Sequence, residues 1–237
     1  MLKKGTDSYI IVRSWDIMIC ERNRMKRQYK KITTYFLLMI IMMLAMIGCV
    51  PQEEKIVVPV TENTLEVTEE GALISYLVED FDKDYYVLEE LDAMVREEVA
   101  EYVADQGLVS ESGEAQMAVE SVFMAEDGSK KVVVALRFAN VSVYNDYYDT
   151  DLFYGTVEDA VAHGYELNAA LTHVEDGELF GREDEQKNKR RMILITEESV
   201  MIRLPKKILY VGTNVAVTEA GFADGTQSEG LKLIITK

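Results

Sequence analysis

The chain has 237 residues, with 25 Lys and Arg against 42 Asp and Glu, a net charge of −17 with neutral histidines. An acidic excess of this size repels phosphate backbones, and no basic stripe interrupts it, so nucleic-acid binding is not expected. It also repels anionic lipid headgroups and favours cationic partners.

Residues 1–24, "MLKKGTDSYIIVRSWDIMICERNR", precede a segment that starts like an export signal at Met25. They are expected to be either a mis-annotated start, with translation beginning at Met25, or a cytoplasmic extension. Trp15 and Cys20 fall in this preface and are assigned no role.

Lys26, Arg27, Lys30 and Lys31 stand before an uncharged run from Tyr35 to Val50, and Glu53 and Glu54 follow it. Sixteen residues as a helix cover roughly 24 Å, short of the ~30 Å hydrocarbon core but suited to a signal-peptide h-region. The charge asymmetry holds the basic side in the cytoplasm and sends the acidic side across. The run closes on "MIGC", Met46 to Cys49.

This motif resembles the lipobox of bacterial lipoproteins, with Met46 in place of the preferred leucine. The resemblance covers residues 25–49. It implies a diacylglyceryl group on the Cys49 thiol and cleavage between Gly48 and Cys49, with no other cofactor. Residues 25–48 are then the signal peptide and 49–63 a lipidated tether. Residues 64–237 form an extracytoplasmic domain on the outer face of the cytoplasmic membrane, in keeping with a Gram-positive bacterium. Residues 49–237 keep 16 basic and 39 acidic side chains, a net charge of −23. Cys49 is their one cysteine, so no disulfide, thiolate nucleophile or cysteine-based zinc site is expected there.

In the domain, "TLEVTEEGALISYLVEDF" has the pattern of a hairpin turning at Glu69-Glu70-Gly71. Leu88, Leu91, Val95, Val99 and Tyr102 recur at helical steps and predict one long amphipathic helix, with Asp82 or Asp84 as cap and Gly107 as stop. "MAVESVFMAEDGSKKVVVALRFANVSVY" predicts a second hairpin turning at Asp127-Gly128. A short helix is expected at Val157 to Ala162, with Thr156 as N-cap, Asp159 as its capping-box partner and Gly164 after it. "EDGELFGREDEQKNKRR" is expected to be a charged loop, and the remainder β-rich. The long helix should pack on one sheet face, giving an α+β fold with a mainly antiparallel sheet built from hairpins. The carboxyl end, "KILYVGTNVAV" to "LKLIITK", is similar to small uncharacterised lipoproteins of anaerobic Firmicutes, a likeness that brings no activity with it.

Motifs for chemistry are sparse. Asp80, Asp82 and Asp84 alternate like the opening of a calcium loop, but Tyr85 and Leu91 stand where that loop needs Gly and Glu. His163 and His173 lack a zincin spacing, and neither a P-loop nor a G-x-S-x-G elbow occurs. The best local candidate for a binding surface is "YNDYYDTDLFYG". Tyr144, Tyr147, Tyr148 and Tyr154 stand there beside Asp146, Asp149 and Asp151, a mixture able to hold sugars or cationic peptides. A turn-rich connection whose rings dock on the core accounts for the same residues, and is favoured. Two classes of function stay open: a non-enzymatic binding, scaffolding or accessory module of the envelope, with a cationic protein, peptide or glycan as partner, or a surface hydrolase using carboxylates on glycan or peptide. The missing motifs favour the first.

Overall fold

The first hairpin follows from local chemistry. Strands β1 (Thr64–Val67) and β2 (Leu73–Asp80) pair antiparallel around Gly71, whose φ of 84° suits a residue without a Cβ. The computed structural model describes residues 60–219, 221–227 and 229–237; Gly48, Cys49 and the predicted signal peptide lie outside them.

Helix α1 (Leu88–Gln106) ends where expected, with Gly107 in the left-handed region and the Leu108 N–H bonded to Val103 O. Its start differs. Val87 precedes it with no side-chain cap, because Asp82 and Asp84 are taken up in a turn closed by the Tyr86 N–H on Lys83 O. The buried stripe is also shifted: Val99 and Val103 are enclosed, Tyr102 is half-buried, and Leu88 and Leu91 at the amino end stay partly open.

Strands β3 (Met117–Met124) and β4 (Lys131–Phe138) form the second expected hairpin, turning through Gly128. The residues after it do not extend the strand. Asn140 caps α2 (Val141–Tyr148), its Oδ1 accepting the Val143 N–H at 3.1 Å. The β-branched and aromatic residues of α2 suggest a strand. Burial overrides that preference, since a helix sets Tyr144, Tyr147 and Tyr148 at i, i+3 and i+4 against Phe138, with ring centroids 5.1, 5.6 and 5.7 Å away.

Next come β5 (Phe153–Thr156) and α3 (Val157–Ala162), which carries the expected capping box between Thr156 and Asp159. After β6 (Leu171–His173) the expected charged loop contains α4 (Arg182–Asn188). Phe180, fully buried, anchors this helix; the Asp184 carboxylate accepts the Gly181 N–H, and the first turn is acidic, as the helix dipole favours.

The remaining strands are β7 (Met192–Thr196), β8 (Met201–Arg203), β9 (Ile208–Gly212), β10 (Ala216–Glu219), β11 (Phe222–Asp224) and β12 (Lys232–Thr236). β8, β10 and β11 join one sheet and β7, β9 and β12 the other. One has seven strands in the order β10-β11-β8-β1-β2-β4-β3, antiparallel except for the β1–β8 pair. The other has five, β5-β7-β12-β9-β6, all antiparallel. The fold is therefore α+β, with four helices among the described residues in place of the two expected.

The apolar runs in β7 and β12 mark a sheet covered on both faces. Leu194 and Ile234 point into a core shared with Leu65, Leu73, Leu136 and Phe138 of the larger sheet. Ile193, Ile195, Leu233 and Ile235 point to the opposite face, under Val157 and Ala160 of α3 and Phe180. α1 adds Val99 and Val103 to the shared core. Val57–Lys237 is one compact unit with a hydrophobic core of its own, the property that lets a chain segment fold alone.

Candidate ligand groove

Of the predicted site residues, Gly48 and Cys49 lie outside the described residues. The tyrosine-rich segment is described, and its rings mostly turn inward, as the favoured docked-ring alternative holds. Tyr144 is 2% exposed, while Tyr147, Tyr148 and Tyr154 are half-buried and pack on the main core. Tyr144 therefore belongs to no surface, a correction to its place in the candidate set. The physical reason is the helix, which aims three phenols at Phe138 and leaves Asp146, Asp149 and Asp151 exposed.

The buried phenols are anchored. Tyr144 donates to Glu198 Oε2 at 2.7 Å, and Tyr148 to Ser75 Oγ at 3.0 Å. Burial, reinforced by the Glu198 charge and hydrogen bond, raises the Tyr144 phenol well above its ordinary range. Burial likewise pushes Tyr148 up to about 12, against the opposing effect of the Ser75 bond. These groups stay protonated at neutral pH and act as structural donors.

The histidines are bound locally. His163 Nδ1 lies 2.7 Å from Asp159 O, and His173 Nδ1 lies 2.8 Å from Asp176 Oδ1. No group of three His, Cys, Asp or Glu suited to a metal occurs among the described residues.

A different constellation lies where β2 runs into α1. A groove of about 410 Å³ opens there, floored by Val132 and Val134 of β4 and by Leu91. Its aromatic wall is Phe81, Tyr85 and Tyr86: Phe81 stacks on Tyr86 at 4.8 Å, and Tyr85 meets Tyr86 edge-on at 4.9 Å. Glu79, Asp80 and Glu90 complete the lining. The groove exists because the first turns of α1 are not sealed onto the sheet. Val87, Glu90, Leu91 and Met94 overhang the valine floor, and burial of the helix begins only at Val99.

Exposure marks this place. Tyr85 is 74% and Met94 57% exposed, and Tyr86 and Val87 are also open to solvent. Met124, opposite Val132 in the β3–β4 register, is another exposed apolar side chain beside them. Four of the ten large hydrophobic residues exposed among the described residues thus line one groove, where scattered single ones would need no explanation. The carboxylates of Glu79, Asp80 and Glu90 are exposed, and none is hydrogen-bonded or ion-paired to another described residue.

Sequence reasoning passed over these aromatics because the neighbouring aspartates looked sufficient as helix caps. The signal was present in "FDKDYYV", three rings and two acids directly before a helix. Its partners Val132 and Val134 are more than forty residues away. No family model, no curated protein and no solved structure matches the chain.

Proposed function

We propose that this chain is a lipid-anchored, extracytoplasmic binding module, tethered to the outer face of the cytoplasmic membrane through a diacylglyceryl group on Cys49. It holds a ligand in the groove between β2, β4 and the amino end of α1 and does not transform it. The observation that carries the binding reading is the gathering of Tyr85, Tyr86, Val87 and Met94, exposed, around a concavity floored by Val132 and Val134. A volume of this size, mainly apolar with a few polar groups at its edge, is that of small-ligand sites. The anchoring reading rests on the lipobox-like "MIGC" after its basic and apolar segments. Two acyl chains hold a protein stably where one does so only marginally.

Two experiments test the halves separately. Cys49→Ser should abolish labelling by a fatty-acid probe and leave the precursor uncut; normal processing of that variant would sink the anchor. For the groove, the neutral dye Nile red should bind the fragment 57–237 with blue-shifted emission. The double variant Tyr85→Ser, Met94→Gln should lose most of that signal. Equal signal from both proteins would remove the groove as a binding site.

A further inference from the structure

The electrostatics of the groove carry its assignment one step further, resting on the reading that it is a binding site. We propose that the groove takes a small organic cation: an ammonium that carries an apolar group, seated with its hydrocarbon on Val132 and Val134 and its charge among the rings and carboxylates.

Charge is the first argument. Between Glu79 and Glu90 the chain has six acidic side chains and one lysine, and that lysine, Lys83, is paired with Asp82 at 2.8 Å. Lys130 and Lys131 enter from the β3–β4 turn, but Glu126 and Asp127 come with them. Lys131 faces Asp80 in register without forming an ion pair to it. The balance stays acidic by five charges. An anionic ligand is repelled, and a neutral one binds more weakly than a cation of the same shape wherever it covers Glu79, Asp80 or Glu90, because it desolvates them without return. A cation offsets that cost.

Ring geometry is the second. Phe81 and Tyr86 cover one another, whereas Tyr85 meets Tyr86 in a T-shaped contact and is mostly solvent-exposed, which leaves ring surface open to a ligand. A soft ammonium is attracted to the face of such a ring, most of all when the opposite side of the ligand lies on hydrocarbon. Size is the third: the groove has the volume of a small-molecule site.

The test follows the methyl resonances of Val132 and Val134 in the fragment 57–237 by NMR. The probes are (4-hydroxybutyl)trimethylammonium, its neutral isostere 5,5-dimethylhexan-1-ol, and 4-hydroxybutanesulfonate. The cation should shift both valines saturably and bind at least fivefold more tightly than the alcohol, with no binding by the sulfonate. Glu79→Gln with Glu90→Gln, both exposed and so compatible with folding, should erase most of that preference, as should 0.5 M NaCl. Equal binding of alcohol and cation would overturn the cation assignment and leave the groove standing. Failure of every probe to shift the valines would overturn both readings. A Leu-Lys-Leu-Lys peptide that outcompetes the small cation tenfold or more would make the occupant a peptide and overturn this assignment.

Discussion

Tyr144 and Glu198, 54 residues apart in sequence, are joined by a 2.7 Å hydrogen bond that ties α2 to the crossing between the two sheets. Glu198 sits between β7 of the smaller sheet and β8 of the larger one, so its position decides how the chain changes sheets. Its other oxygen, Oε1, is buried without a partner among the described residues, which leaves the carboxylate dependent on the phenol. Tyr144→Phe keeps the ring against Phe138 and removes only this bond. Bonds to charged groups contribute about 1.5–3 kcal/mol, so the variant should lose about that much in urea unfolding with an unchanged slope. A loss below ~0.5 kcal/mol would mean that water replaces the phenol at no cost.

Alkaline pH should act on the same cluster. Tyr148 is raised by burial to about 12, and Tyr144 and Tyr76 are raised as well, Tyr76 by burial and by the Glu66 carboxylate that accepts its 2.9 Å hydrogen bond. An ordinary tyrosine loses its proton near 10. Between that value and about 12 the unfolded chain has released protons that the native protein keeps, so the stabilisation is complete below pH 10 and is lost above it. Stability should fall by about 1.4 kcal/mol per pH unit for each such phenol. Chemical unfolding at pH 9, 10 and 11 checks this; a flat profile would place the phenols in contact with water.

The helix α3 offers a local test. Thr156 accepts the Asp159 N–H at 3.1 Å, and Asp159 accepts the Thr156 N–H at 3.3 Å; the Thr156 hydroxyl and N–H both hold the Asp159 carboxyl below its usual range. Thr156→Ala should cost about 1 kcal/mol. α3 covers Ile193 and Ile195 of the five-stranded sheet, so hydrogen exchange should rise first over α3 and β5 and leave β1 to β4 protected. Uniform loss of protection would show that the two sheets open together.

The parts of the fold legible in sequence are those decided within a few residues. Gly71, Gly107, Gly128 and the Thr156–Asp159 box announce their turns and cap without reference to anything distant. Where distant partners decide, sequence reading diverged. "VSVYNDYY" has strand-forming residues but is helical because Phe138 awaits its rings. The strand runs near the carboxyl end suggest hairpins, yet β7 and β8 go to different sheets, parting at the turn where Glu198 meets Tyr144 from 54 residues away. The tyrosines of the sequence's candidate surface turn inward: Tyr144 faces the core and Tyr147, Tyr148 and Tyr154 pack against it, while Tyr85 and Tyr86, outside that set, line the groove over Val132 and Val134. Only the distant valines and the uncapped start of α1 make that groove, and neither is visible within a few residues.

Lys232 bonds to the same turn as Tyr144, at Glu197 and Ser199 on either side of Glu198. It is fully buried, and its ammonium donates at 3.0 Å to the carbonyl oxygens of both Glu197 and Gly230, with Ser199 Oγ at 3.5 Å. No carboxylate is among these partners, so the lysine serves to hold the Glu197–Ser199 turn against the start of β12. Lys232→Met keeps the aliphatic stem and removes the charged donor from both carbonyls, and should cost about 1.5–3 kcal/mol, the range for bonds to a charged group. The phenol and the ammonium restrain one three-residue turn from two sides, so their effects are not independent. Once either is gone the turn relaxes, and the second removal has less left to break. The double variant Tyr144→Phe, Lys232→Met should therefore lose less than the sum of the singles, by at least about 0.5 kcal/mol in a urea double-mutant cycle. Strict additivity would show that the turn is held by its own backbone, with each side chain serving only its own sheet.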